Sequence, residues 1–284
     1  MLASLLVVFR EVIEAGLIVG IVLAASKGVS GRGLVVGIGV AAGVLGACVV
    51  AALAGEIESL FEGAGQELFN AAVLAFAVAM LAWHNVWMSG HGRQIARDMR
   101  AMGAKVASGE RALAALGVVV GLAVLREGSE VVLFLYGVAS QSGATSAGLV
   151  AGGALGLGAG AAISALMYYG LLAIPAHKLF SVTSGLITLL AAGMAAQAVL
   201  YLQQAGYFEV LTRTLWDTSW LLPEGGPGVL GVIGQMLHTL VGYSDAPNGA
   251  QLAAYLATIF AIVGLMRWER SRREVRPPVP AAAE

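Results

Sequence analysis

The chain has 284 residues, of which 58% are hydrophobic and only 12% charged, where a soluble domain carries about 25% charged residues. With a mean hydropathy of +0.84, this excludes a soluble domain. It points to an all-α, polytopic membrane protein whose solvent is the lipid bilayer and which has no nucleic-acid partner. The net charge of −1 matters less than where the charges fall, and the lone Cys48 excludes an internal disulfide or a thiolate cluster and reads as a small apolar packing residue.

A spanning helix needs about 20 mostly apolar residues. Seven runs qualify, near 2–26, 33–54, 67–89, 112–140, 146–172, 178–203 and 250–268. No basic stretch precedes the first run, so it reads as a helix rather than a cleaved signal peptide. It carries Phe9-Arg10-Glu11-Val12-Ile13-Glu14. The second run is rich in glycine, with Gly37, Gly39, Gly43 and Gly46. The third contains His84 and Asn85 among Trp83, Trp87 and Met88. The fourth repeats the charged pattern as Leu125-Arg126-Glu127-Gly128-Ser129-Glu130, and the fifth has Gly152, Gly156 and Gly160 at four-residue spacing. Small residues so spaced let helix backbones approach closely and would also allow a homodimer. The sixth run contains Gln197 and Tyr201. Segment 204–248 holds Trp216 and Trp220, which suit a membrane interface. Its stretch 229–238, ending at His238, is amphipathic and too short to span, as in an interfacial or re-entrant helix. After Arg276 the Pro-rich tail reads as disordered.

Lys and Arg in short loops set orientation. They fall in loops 1–2, 3–4 and 5–6 and in the tail. Loop 2–3 has only acids (Glu56, Glu58, Glu62 and Glu67), loop 4–5 has no charge, and segment 204–248 is net acidic. Every loop fits seven helices with the N-terminus outside and the C-terminus inside, in the cytoplasmic (inner) membrane. Arg10 and Arg126 are 116 residues apart. Three helices separate them, and an odd number reverses direction, so helices 1–3 and 4–6 read as inverted repeats. Aligning the motifs also superposes Gly37 on Gly153. The expected organisation is a first three-helix repeat over 1–110, a second over 111–203, an extracytoplasmic loop with an interfacial helix over 204–248, a seventh helix over 249–268 and a cytoplasmic tail over 269–284.

Ionised side chains cost about 2.5–3.5 kcal/mol each at the centre of a membrane helix on insertion scales. Six unpaired ones would cost roughly 15–20 kcal/mol. Residues three and four apart share a helix face, so each motif offers two carboxylates and a guanidinium in one turn. Both motifs lie in mid-helix and would converge at a repeat interface. Oxygen-rich sites suit hard cations, which makes Glu11, Glu14, Glu127 and Glu130 candidate metal ligands. Arg10 and Arg126 would orient them through charge-assisted hydrogen bonds. His84, Asn85, Glu58, Glu62, Gln197, Tyr201 and His238 are candidate accessory residues. The acidic loop 2–3 could concentrate cations at the outer mouth. The rival readings are transport of lead, manganese or a cationic amino acid, and a structural membrane subunit whose ion pairs only fix helix packing. A membrane-embedded enzyme finds little support in four scattered histidines.

At the two Arg-Glu-x-x-Glu motifs the chain resembles the high-affinity iron permease family, the oxidase-dependent iron transporters, in its bacterial branch. Phe61-Glu62-Gly63, Trp87-Met88 and Trp216-Asp217-Thr218-Ser219-Trp220 add to the likeness. The resemblance implies a non-enzymatic permease that imports Fe³⁺ or Fe²⁺, with iron as substrate and no permanently bound cofactor. It also implies an extracytoplasmic partner, either an iron-binding protein or a cupredoxin-like or oxidase protein. Glu11, Glu14, Glu127 and Glu130 carry over as the translocating carboxylates. The family motif is often Arg-Glu-Gly-x-Glu; Val12 stands where that glycine would be.

Overall fold

The computed structural model describes residues 1–59, 66–141, 145–170, 176–207, 209–224 and 228–274. Apart from one antiparallel bridge between Thr214 and Asn248, its regular structure is helical. The helices are α1 (Leu2–Ala25), α2 (Arg32–Ser59), α3 (Gln66–Ala107), α4 (Ala114–Ala139), α5 (Ser146–Tyr168), α6 (Ala176–Gln204), α7 (Val229–Val241) and α8 (Gly249–Glu274). Each of the seven long apolar runs forms a helix. Five of them, α2, α3, α5, α6 and α8, are long and apolar enough to cross a membrane. α1 and α4 have comparable lengths of 24 and 26 residues, but each carries three charged residues in its middle. Large side chains such as Leu34, Leu45, Val49, Leu122, Val150 and Phe260 lie exposed on the outer helix faces. Such a surface suits lipid and would aggregate in water. The chain is a multi-pass membrane protein.

α3 runs further than its apolar stretch. It has 42 residues and is roughly 60 Å long at the α-helical rise. The basic stretch expected as loop 3–4 is therefore mostly helical. Arg97, Arg100 and Lys105 are good helix formers, and the helix ends shortly before Gly109, which takes a left-handed φ of 82°. The extension folds back onto the end of α1, where Gly103 lies against Ala25 and Val22. α7 forms over the amphipathic stretch as expected, stops at the left-handed Gly242 (φ 70°), and rests on α6 where Gly242 meets Gly193. α8 opens with a reciprocal capping box. In it the Gln251 N–H donates to Asn248 Oδ1 and the Asn248 N–H donates to Gln251 Oε1, both at 2.9 Å. The tail beyond Glu274 lies outside the described residues.

Two helix pairs dominate the packing, α1 along α5 and α2 along α4, and α3 joins them through α6, α1 and α4. The glycines account for the closeness. Gly39 and Gly43 of α2 lie on Gly117 and Gly121 of α4, so that a methyl group added at Gly43 would stand 2.7 Å from the Gly121 carbonyl oxygen. Gly156 of α5 lies on Leu5 and Phe9 of α1, and Gly160 on Phe9 and Val12. Gly37, aligned with Gly153 by the motifs, faces open space. Cys48 is exposed rather than packed, because the contact stripe of α2 runs through Val36, Gly39, Gly43 and Gly46 and leaves it on another face. Leucine at Gly43 or Gly156 should destabilise the protein by about 1–3 kcal/mol through overpacking. Thermal denaturation in detergent should show this as a lowered midpoint for either variant and an unchanged midpoint for Gly37→Leu.

Candidate metal centre

Both charged motifs turn inward from α1 and α4, and α3 inserts His84 between them. In the first motif Arg10 Nε lies 3.0 Å from Glu14 Oε1, one helical turn on, while Arg10 Nη1 stands 3.8 Å from Glu11 Oε1. In the second, Arg126 Nε donates to Glu130 Oε1 at 3.1 Å and stands 4.0 Å from Glu127. The i,i+4 spacing does the same work in both copies. His84 bridges them. Its Nε2 faces Glu14 at 3.5 Å and Glu11 at 3.8 Å, and its Nδ1 contacts Glu130 Oε2. The Phe134 ring meets the imidazole edge-on at a centroid distance of 6.2 Å.

Glu11, His84, Glu127 and Glu130 each present one ligand atom, and the four atoms lie within 4.8 Å of one another. Three of the four expected carboxylates belong to this set. Glu14 lies beside it, held by Arg10 and His84. His84, read from sequence only as an accessory residue, is central, since it contacts glutamates of both motifs. In the chain order it is an isolated histidine; only the packing of α3 against α1 and α4 brings it between the glutamates.

The pairing leaves oxygens over. Among the described residues, both Glu11 carboxylate oxygens and the Oε2 atoms of Glu14, Glu127 and Glu130 are buried with no partner in hydrogen-bond geometry, as are Arg10 Nε and Nη1 and His84 Nδ1. Buried polar atoms in native structures are nearly always paired. Along α1, α3 and α4 the layer lies between two apolar clusters. One cluster gathers Leu6, Val7, Leu74, Leu81, Phe134 and Met194; the other gathers Val22, Val36, Val106, Leu116, Val120 and Val124. The motifs differ in their walls. Arg10 is 3% exposed and Arg126 is 40% exposed, and the Arg126 guanidinium lies over the Trp87 ring at 4.2 Å. The valine of the first motif has a steric explanation: Val12 packs on Gly160 of α5, whereas Gly128 of the second motif packs on Ala47 of α2. The small residue has moved to the partner helix.

The other accessory candidates lie elsewhere. Asn85 faces α6, where it donates to the Ser184 carbonyl at 3.1 Å and to Thr188 Oγ1 at 3.0 Å. Gln197 is buried in α6, and the Tyr201 hydroxyl donates to the Ser140 carbonyl at 3.3 Å. His238 pairs with Glu224 at 3.4 Å and lies 2.8 Å from the Tyr243 carbonyl, in the segment that follows α6. The Glu58 side chain and Glu62 lie outside the described residues.

Asn85 and His84 should therefore separate in experiment. Asn85→Ala should cost about 1–3 kcal/mol of stability, since it strands buried partners, and leave metal affinity unchanged; denaturation midpoints and metal titration check the two halves. The His238–Glu224 pair should be pH-sensitive. Burial pushes the Glu224 carboxyl up, but the His238 charge and the Asp245 N–H hold it below its ordinary 4.5. Burial likewise opposes the His238 charge, yet Glu224 raises it above its ordinary 6.5. The glutamate contribution is present above 4.5 and fades as pH falls through its lowered value. The histidine contribution is full below 6.5 and fades as pH rises through its raised value. Limited proteolysis across pH should find the segment after α6 most resistant between those limits, and His238→Gln should flatten the alkaline side.

The profile of the iron permease FTR1 family matches residues 1–274. A protein named ferrous iron permease EfeU from Escherichia coli O6:K15:H31 (strain 536) is 29% identical over 259 residues, 90% of this chain and 91% of its own. One of the same name from Yersinia pestis is 28% identical over 287 aligned positions, 100% of this chain and 98% of its own. No solved structure matches the chain. Because the matched stretch takes in both charged motifs, α3 with His84 and all eight helices, the chain belongs to the iron permease FTR1 family.

Proposed function

We propose that the protein imports Fe²⁺ across the cytoplasmic membrane, through the layer formed by Glu11, Glu127, Glu130 and His84. The observation that carries this reading is the convergence of four ligand atoms within 4.8 Å beside buried carboxylate oxygens that protein groups leave unpaired. An ion-pair network that served packing alone would satisfy its own oxygens, since unpaired buried charge is strongly destabilising. Three carboxylates and an imidazole suit divalent iron better than an all-oxygen set would, and the relatives' name, ferrous iron permease, points to the same valence. The protein acts as a permease; any oxidation of iron would take place on a partner.

The packing supports inverted repeats. Exchanging α1 with α4 and α2 with α5 turns the α1–α5 pair into the α4–α2 pair. In α1 and α4 the equivalent residues are 116 apart, as in Leu5 and Gly121. In α2 and α5 the contact glycines Gly39 and Gly152, and Gly43 and Gly156, are 113 apart. In this reading seven helices cross the membrane, with α1 and α4 bearing the charged layer at mid-depth, the N-terminus outside and the C-terminus inside. The two apolar clusters then close the layer toward opposite faces, and rocking of the repeats opens them in turn. An inside-negative potential favours entry by about 2.3 kcal/mol per charge for each 100 mV. Delivery by an extracytoplasmic iron-binding, cupredoxin-like or oxidase protein fits a site reached only through that outer cluster.

Radioactive iron uptake into proteoliposomes, with Fe²⁺ and Fe³⁺ supplied separately, tests the proposal. Wild-type protein should take up Fe²⁺. Glu11→Gln with Glu127→Gln should reduce uptake at least as much as the roughly 10–100-fold loss typical of outer-shell metal-site partners. Unchanged uptake in a folded double variant, or uptake of neither ion by the wild type, would overturn it.

A further inference from the structure

The two arginines pair with the same position of the same motif, Arg10 with Glu14 and Arg126 with Glu130, yet one is walled in and the other is not. Arg10 is 3% exposed and lies within the packed helices, so it has nowhere to go. Arg126 is 40% exposed. It is held from two sides, by Glu130 Oε1 at 3.1 Å and by the face of Trp87 at 4.2 Å. Trp87 is itself backed by His91, whose ring stacks at 4.6 Å and 13°. The indole thus has a fixed orientation on α3, one turn from His84. Glu130 serves His84, Arg126 and the four-atom set together, and it is the glutamate that Arg126 holds by a hydrogen bond. With Oε1 bonded to Arg126, a cation that enters the set competes with the guanidinium for the charge of Glu130. A guanidinium stacked on an aromatic face keeps a favourable partner when its carboxylate is withdrawn.

We propose that Trp87 is a positioning residue for cation binding, which holds the Arg126 guanidinium beside the site so that it can release Glu130 to the metal and return when the metal leaves. The proposal rests on the iron-site reading above and deepens it. It makes the second motif the yielding half of the site and the first motif the fixed half. The stack performs at Arg126 the orienting work that burial performs at Arg10.

The test is Fe²⁺ binding to the purified protein in detergent under anaerobic conditions, followed by equilibrium dialysis with radioactive iron and by tryptophan fluorescence. Trp87→Leu should weaken binding by about threefold to tenfold, the range expected for a partly desolvated cation–π contact. Trp87→Phe should restore most of the affinity while reducing the iron-dependent fluorescence change expected of the wild type. In an Arg126→Gln background, Trp87→Leu should add no further loss. The proposal is overturned if Trp87→Leu binds iron like the wild type. It is also overturned if the substitution costs as much without Arg126 as with it, since indole packing would then be the whole effect. Wild-type protein that binds no Fe²⁺ overturns the iron-site reading and this proposal with it, whereas wild-type binding with an indifferent Trp87 overturns this proposal alone.

Discussion

The structure depends on one constraint: seven ionisable groups, Arg10, Glu11, Glu14, His84, Arg126, Glu127 and Glu130, lie within the apolar stretches of α1, α3 and α4. Scattered over the outer faces they would oppose insertion; gathered together they can pair. That requirement fixes which faces of α1, α3 and α4 meet, and so fixes the centre of the bundle. The rest of the packing serves it. α5 lies along α1 and α2 along α4, in glycine-lined contacts that cover the backs of the motif helices and leave their charged faces turned inward.

Pairing does not exhaust the charge. Each arginine takes one glutamate of its own motif, and His84 reaches across to both motifs, but carboxylate oxygens remain without partners. Acceptors left without hydrogen bonds between two apolar clusters are what the proposed cation site draws on. In the proposed function helix packing changes as the cation passes, and glycine contacts let helix backbones lie close together.

Repetition in the sequence conceals a difference in the structure. Arg10 and Arg126, identical by motif, sit in unlike walls, one sealed in the core and the other stacked on Trp87. Val12 and Gly128 show how such differences are absorbed. The valine is matched by Gly160 on α5 and the glycine by Ala47 on α2, so the departure from the common motif changes which helix carries the small residue and leaves the charged positions intact. The contact glycines of α2 and α5 are 113 apart where the motifs are 116 apart, so superposing the motifs alone selects Gly37, which faces open space.

By itself the sequence determined the membrane character, the seven apolar helices, and the two motifs that bring glutamates to one face of α1 and α4, because hydropathy and the helical period are local properties. It also carried the family, since the motifs are contiguous. It understated α3, whose basic end reads as a loop by polarity but continues as helix. Only tertiary structure decided that His84 stands between the motifs, that its neighbour Asn85 turns away to α6, that Glu14 is a partner to Arg10 beside the four-atom set, and that Trp87 backs Arg126. Each of those facts depends on which face of one helix meets another, and adjacent residues on a helix point about 100° apart. The decision between ligand and strut is therefore made by packing, at a distance in sequence that no local pattern spans.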